Sequence, residues 1–397
     1  MGRCHLHVWS HSQGIFNLRR DLALAFALPI EAVRVQHVEG AGCYGHNGAD
    51  DVAFDAAWLA RRAPGHPVRV LWSRADELSL SPFGPAMLVE IEADLDASGQ
   101  VLHWKHQVWS PGHSHRPGRA ATPGLLGSWQ TDAPFEAPPA INMPLAVGGG
   151  AERNAVPGYE FPAWQVLSHL VQAPLPRSSA LRSLGAFGNV FAAESFVDEL
   201  AHARGEDPLA WRRRHLTHDA RGLAVLELAA VRARWGAHPR AEGVGRGLGF
   251  ARYKGTGAWC CVVAEVEAGA LLHVRRLTIA VDVGLAVNPD GVAAQIEGGA
   301  VQATSWALKE AVRFDAQRIT SDAWERYPML RFSEVPTVDV HIVASAAPSL
   351  GAGEAALGPS VAAIGNALFD ALGVRVRDLP LTPQRIIAAM DEGAAKR

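Results

Sequence analysis

The chain has 397 residues, 48% hydrophobic and 19% charged, with a net charge of −3 when its histidines are neutral. That length suits two or three domains with a sizeable core, and the near-neutral balance excludes a basic nucleic-acid stripe and a polyanionic partner. No apolar run approaches the roughly 18 residues of a membrane helix, and MGRCHLHVWSHSQG is no signal peptide, so no membrane insertion is expected and the compartment, cytoplasmic or periplasmic, stays open.

In chain order, RRDLALAFA (19–27) predicts a helix, VRVQHV a strand and GAGCYGHNGA a glycine loop. DVAFDAAWLARRA then carries Val52, Ala56, Leu59 and Ala60 at helical spacing, with Asp50 and Asp51 where a helix N-terminus favours negative charge. GHPVRVLW predicts a turn and a strand, and Ser73 with Asp76 a capping box. MLVEIEADLDASGQVLHWKHQVW alternates about a turn and predicts a hairpin. Residues 110–176 read as a long Pro/Gly-rich loop that wraps a partner or lines a site. Helices are expected over 190–204 and over DPLAWRRRHL, capped by Asp207. A linker and helix over 217–245 mark a domain boundary, dividing the chain into 1–216 and 246–397. Strands at 259–267 and 271–282, a helix at 292–310, a strand near 337–343 and a terminal helix complete the chain. Without a steady βαβ rhythm, the fold class is α+β rather than doubly wound.

The four cysteines, Cys4, Cys43, Cys260 and Cys261, form no CxxC pair, which argues against a zinc knuckle or an iron–sulfur cluster held by this chain. Cys260 and Cys261 read as buried free thiols in a strand. His5-x-His7 and His113-x-His115 read as loop and surface residues, not a metal site.

Gly40, Gly42 and Gly45 spell GxGxxG between a strand and a helix. A dinucleotide fingerprint wants the helix to begin at the third glycine and an acid at the tip of the next strand. Here His46, Asn47, Gly48 and Ala49 intervene, and the next expected strand ends near Trp72, followed by Ser73 and Arg74. A nicotinamide site is therefore disfavoured. A plain tight turn would explain the glycines but not the polar cluster among them.

Four segments carry a different reading. They are VWSHSQGIFNLRRDLA, with Gln13; VEGAGCYGHNGADDVAFDAA, with Gly42, Cys43, Tyr44 and Gly45; SALRSLGAFGNVFAAESFVDELA, with Arg182 and Glu194; and the stretch from VDVGLAVNPDGVAAQIEGGAVQATSWALKE to SLGAGEAALGPSVAAIGNALFDALGVR, with Gln295, Gly353 and Glu354. In this order and spacing the chain resembles the large, molybdopterin-binding subunit of the xanthine dehydrogenase / aldehyde oxidase family, most of all the nicotinate and isoquinoline oxidoreductase branch. The resemblance implies two mixed α/β molybdopterin-binding domains. It also implies hydroxylation of an aldehyde or N-heteroaromatic sp² carbon with oxygen from water.

Glu354 matches the family's catalytic glutamate, the base that takes the proton as carbon is attacked, and its small neighbours Gly351, Ala352, Gly353, Ala355 and Ala356 leave room beside it. Gln13 resembles the glutamine that bonds a molybdenum ligand, although a lone glutamine is more often a surface amide. Gly42, Cys43, Tyr44 and Gly45 align with the loop whose amides face the cofactor. Arg182 aligns with an arginine near the metal, suited to anionic oxygens; Gln295 and Gly353 fall on the cofactor side. No residue ligates the metal directly, since molybdopterin carries it. Leu184 stands where xanthine-oxidising relatives have a phenylalanine and Gly48 where they have a second glutamate, which argues against xanthine; Arg153 matches a substrate-side arginine.

The resemblance covers only the C-terminal part of the family's subunit, and the GQG-type loop of the front half has no counterpart in this sequence. The expectation is a fragment, or a subunit whose missing N-terminal half is a separate polypeptide, which alone binds the cofactor poorly and is inactive. The cofactor implied is molybdenum–molybdopterin in its cytosine dinucleotide form. A small 2Fe–2S subunit would take the electrons, with a cytochrome c subunit as a further partner. The alternative is a truncated, non-catalytic remnant or assembly piece.

Overall fold

The computed structural model describes residues 5–172, 176–237 and 241–395; Cys4 lies outside them. Strands β1 (Leu6–Ser10) and β2 (Val33–His37) pair in parallel around α1 (Ile15–Ala25). Leu18 and Leu22 of α1 meet Phe54 and Ala57 of α2 (Asp51–Arg61) and Leu125 in a small core. Asp51 opens α2, accepts the Leu126 N–H at 2.8 Å and pairs with Arg177, so its charge is met by specific partners as well as by the helix dipole.

Helix α3 (Arg74–Leu80) begins in the expected capping box between Ser73 and Asp76. The segment before it departs from expectation. GHPVRVLW forms no strand, and Leu71 is 81% exposed, because this apolar alternation meets no sheet edge among the described residues. The hairpin β3 (Leu88–Leu95) and β4 (Val101–Ser110) is joined by β5 (Trp164–Leu170), parallel to β4. The supposed long loop thus contains an edge strand. His113 and His115 are buried rather than on the surface, and burial lowers their pKa values to about 3 and about 4, which keeps them neutral.

Helices α4 (Ala186–Ala203), α5 (Pro208–Arg214) and α6 (Ala220–Arg232) follow, with Asp207 accepting from the Leu209 and Ala210 N–H groups to cap α5. The last sheet has the order β6 (Val244–Arg252), β7 (Trp259–Ala268), β8 (Leu272–Asp282) and β9 (Thr337–Ile342). It is antiparallel except for β8–β9, which are parallel and connected through α7 (Pro289–Leu308). Helices α8 (Leu357–Leu372) and α9 (Pro383–Ala395) end the described chain. Cys260 and Cys261 are free and fully buried in separate apolar clusters, as alternation along β7 requires.

Two features position the site. On β6, Gly245, Gly247 and Gly249 alternate and so share one face. A Cβ on them would stand 2.1 Å from the Ala367 carbonyl, 2.2 Å from the Ala367 nitrogen and 2.1 Å from the Pro359 carbonyl. The backbone of α8 therefore rests directly on the strand. Glu194 of α4 is the second feature. Its carboxylate is 2% exposed and accepts from Arg212, from Tyr159 and from the Phe250 N–H of β6, so one buried ion pair ties helices to sheet. Burial counts most against the Arg212 cation, but Glu194, Tyr159 and Asp198 together outweigh it and raise its pKa.

Candidate active site

Because α8 lies on β6, the residue after the strand, Tyr253, meets the loop before the helix. The Tyr253 hydroxyl donates to Glu354 Oε2 at 2.7 Å, and the Ser183 N–H donates to Glu354 Oε1 at 2.9 Å. Burial, and then the Glu354 charge, push the tyrosine pKa far up, so it stays a donor. Arg153 donates to the same hydroxyl at 2.7 Å, and its other donors go to the carbonyls of Gly148 (2.7 Å) and Gly149 (2.8 Å). Arg153 thus reaches Glu354 through Tyr253 and is otherwise spent on holding its own loop.

The turn that offers Ser183 is itself unusual. Ser183 and Leu184 both have positive φ, +74° and +52°, a conformation that costs L-residues about 1–2 kcal/mol each. Arg182 holds the turn in place. Its Nε donates to the Gly353 carbonyl, Nη1 to Gln302 Oε1 at 3.2 Å, and Nη2 to the Gln295 carbonyl and side chain at 3.0 and 3.2 Å. One guanidinium so links the turn, the glutamate loop and α7. Gln302 lies two helical turns beyond Gln295, on the same face of α7.

The glycine loop closes against this turn. Gly45, at φ +100°, presses on residues 180–181: a Cβ would lie 2.3 Å from the Ala180 carbonyl. The Tyr44 carbonyl accepts the Arg182 N–H at 3.0 Å, and the Arg182 guanidinium stands 5.5 Å from the Tyr44 ring, which is 49% exposed. Gly42, at φ +96°, lies under the Tyr44 ring. Cys43 is half-buried, and burial raises its thiol pKa. Gln13 approaches from the first domain-like unit and does not touch Glu354 or Arg182. Its Oε1 accepts from Arg116 Nη1 at 3.0 Å, and Arg116 Nη2 donates to the Ala180 carbonyl at 3.1 Å. Gly48 makes this possible, since a Cβ there would lie 2.6 Å from the centre of the Arg116 guanidinium. Behind the loop, Ser12 donates to Asp50 at 2.6 Å; burial pushes the Asp50 pKa up to about 7 in spite of that bond.

Gln295, Gly353, Glu354, Arg182 and Tyr44 are therefore one contact network, Arg153 joins it through Tyr253, and Gln13 joins it through Arg116. Leu184 also lines an apolar cavity of about 850 Å³ that Arg182 borders, but Glu354, Tyr253, Tyr44 and Gln13 do not line it. Tyr253, Ser183, Arg116 and Gln302 escaped the sequence reading. For Gln302 the signal was available in the two-turn spacing.

These residues suit an anionic group with many acceptors. Arg116 Nε and Ser183 Oγ are enclosed polar atoms without partners among the described residues, Gln13 has its amide oxygen anchored and its nitrogen free to donate, and the space over Gly351 is open. The site thus combines a glycine loop, an anchored amide, an arginine-braced turn and a fixed carboxylate. Residues 2–129 and 141–216 match one molybdopterin cofactor-binding domain family, and residues 192–336 match a second. The chain belongs to the xanthine dehydrogenase / aldehyde oxidase family, in the manner of its large, molybdopterin-binding subunit.

Among its relatives is a nicotinate dehydrogenase subunit of Pseudomonas putida, 39% identical over 97% of this chain and 32% of that protein. Another is the beta subunit of isoquinoline 1-oxidoreductase of Brevundimonas diminuta, 31% identical over 86% of this chain and 42% of that protein. The chain thus spans between about a third and a half of the length of these relatives. In fold it is similar to quinoline 2-oxidoreductase of Pseudomonas putida 86, with a TM-score of 0.78 at 16% identity over 98% of this chain and 72% of that one. The aldehyde oxidoreductase of Desulfovibrio gigas gives 0.75 at 15% identity over 97% of this chain and 58% of that one.

Proposed function

We propose that this chain carries the base and much of the cofactor site of a molybdenum hydroxylase that oxidises an N-heteroaromatic or aldehyde carbon with oxygen from water. The observation that carries the reading is Glu354, a carboxylate fixed from both sides by Ser183 and Tyr253 next to the Gly353 carbonyl that Arg182 holds. When bound, molybdenum–molybdopterin, in our reading the cytosine dinucleotide form, supplies the two-electron acceptor and the activation of water oxygen. Glu354 accepts the proton released at attack. Each of its oxygens keeps a free lone-pair site beside the one occupied bond, so its orientation is fixed without blocking its basicity.

The amides of Gly42 to Gly45, the Gln13 side chain and Gln295 hold the cofactor, while Arg182 positions the turn between them and Glu354. Leu184 and Gly48 leave the substrate face without an aromatic ring or a second carboxylate, which favours substrates other than xanthine. We assign residues 1–216 and 246–397 to the two domains, with 217–245 as linker and helix. Electrons leave through a 2Fe–2S subunit, with a cytochrome c subunit as a further acceptor. By itself, the 397-residue chain retains molybdenum poorly and is inactive.

The test is isotopic. The full assembly, given a heteroaromatic or aldehyde substrate in ¹⁸O-labelled water, incorporates the label into product. Oxidation with unlabelled product, or no oxidation of either class, contradicts the proposal.

A further inference from the structure

The hydroxylase reading leaves Gln13 to meet the cofactor, and the fold holds that residue from two sides. Behind it, the Gly14 N–H donates to Ser12 Oγ at 2.9 Å and the Ser12 hydroxyl donates to Asp50 at 2.6 Å. The Ser12 N–H donates to Ser10 Oγ at 3.2 Å, so the backbone around Gln13 is set. In front, Arg116 Nη1 donates to Gln13 Oε1 at 3.0 Å. Arg116 is itself seated: Nη2 donates to the Ala180 carbonyl at 3.1 Å, Nε is enclosed, and a Cβ on Gly48 would stand 2.6 Å from the central guanidinium carbon. Its loop is pinned in turn by the His115 N–H, which donates to Ser179 Oγ at 3.1 Å, and by the Ile141 N–H, which donates to the Ser114 carbonyl at 3.0 Å.

The two ends of a glutamine amide have nearly the same shape and opposite chemistry, an acceptor oxygen and a donor nitrogen. A guanidinium only donates, so the end that meets Arg116 is the oxygen, and the nitrogen is the end left over. Gln13 is exposed, and without an anchor its amide could turn. Beside an anionic group the swapped orientation would lose a donor and set oxygen against oxygen. Arg116 comes from 103 residues away, and its guanidinium fills the space over Gly48 that a larger side chain there would take. Gly48 and Arg116 therefore fit as a pair.

We infer that Arg116 is a positioning residue for the hydroxylation: by taking the Gln13 oxygen it turns the Gln13 amide N–H groups toward the cofactor. The inference rests on the hydroxylase reading. Arg116 acts through Gln13 and not on the substrate, so its loss appears in kcat rather than in KM. A donor held toward the metal's surroundings favours the electron-richer, reduced state, so losing that orientation lowers the midpoint potential of the bound molybdenum.

The test uses the assembled holoenzyme with whichever of nicotinate, isoquinoline and benzaldehyde the wild type oxidises fastest, with rates taken per bound molybdenum. Arg116→Met is expected to lower kcat about ten- to a hundredfold, the worth of a charge-assisted hydrogen bond, with KM unchanged. It should also lower the molybdenum potential in the same sense as Gln13→Ala. Arg116→Lys, still a donor, should recover most of the loss. Gly48→Ala, whose Cβ pushes the guanidinium aside and leaves its charge, should reproduce it, and carries the same test if Arg116→Met does not fold. In a Gln13→Ala background neither change should lower kcat or the potential further. Additive losses in that background, a fall in kcat with no shift in potential, or a change in KM alone would each overturn the assignment. So would unchanged kcat in both variants, or loss of molybdenum with normal rates from what remains. With an active wild type these outcomes sink only this inference. A wild type that oxidises none of the three probes sinks the hydroxylase reading with it.

Discussion

Replacing Gly247 by alanine probes the contact that sets the site's geometry. The added Cβ would lie 2.2 Å from the Ala367 nitrogen and 2.4 Å from the Ala363 carbonyl, both backbone atoms of α8 that no rotamer change can move. Ordinary contact begins near 3.4 Å, so α8 must lift by 3.4 − 2.2 = 1.2 Å or β6 must bend. Overpacking of this kind costs about 1–3 kcal/mol. The helix starts at Leu357, just after Glu354, and the strand ends just before Tyr253, so lifting one from the other pulls at the bond between those two side chains. Misplacement by about 1 Å costs a rate on the order of a hundredfold. The assay is urea unfolding of the variant together with turnover in the assembled enzyme. Gly269→Ala is the control, since no atom lies within 4 Å of a Cβ there and its φ is not positive. If Gly247→Ala matched the control in both stability and rate, the idea that the glycine track seats α8 and so aligns Glu354 would be refuted.

The buried Asp50 gives a pH signature. Its folded pKa of about 7 lies above the ordinary value of 3.8, so the unfolded chain releases its proton first as pH rises. Asp50 therefore costs nothing below about pH 4 and destabilises progressively up to about pH 7, by a few kcal/mol in order of magnitude. Asp50→Asn, which tolerates the φ of +60°, should match wild type near pH 4 and exceed it at pH 8 in urea midpoints; equal midpoints at pH 8 would contradict this. Glu194→Ala strands Arg212 as a buried, unpaired cation and should cost about 3–5 kcal/mol in unfolding free energy. A loss under about 1 kcal/mol would show that the pair is not what binds α4 to β6.

What was legible in the sequence was local or carried by motif. The Ser73–Asp76 box and the Asp207 cap act within a few residues and could be read directly. The alternation in VGRGLGFAR announces a flat face, but not that α8 covers it. Glu354 stood out by its glycine- and alanine-rich setting, whereas Tyr253 is 101 residues away and Arg116 is 103 residues from Gln13, distances at which pairing leaves no local pattern. The errors were of the same origin. VRVLW has strand propensity but no neighbouring edge, and His113 and His115 look like loop residues until the chain folds over them.

The most direct measurement is turnover by the assembled enzyme with Glu354→Gln, a replacement that keeps an acceptor for the Ser183 N–H, turns an amide NH2 toward the Tyr253 oxygen and removes the base. With molybdenum content equal to wild type, kcat should fall by about 10²–10⁴. Undiminished kcat at equal molybdenum content would contradict the role assigned to Glu354.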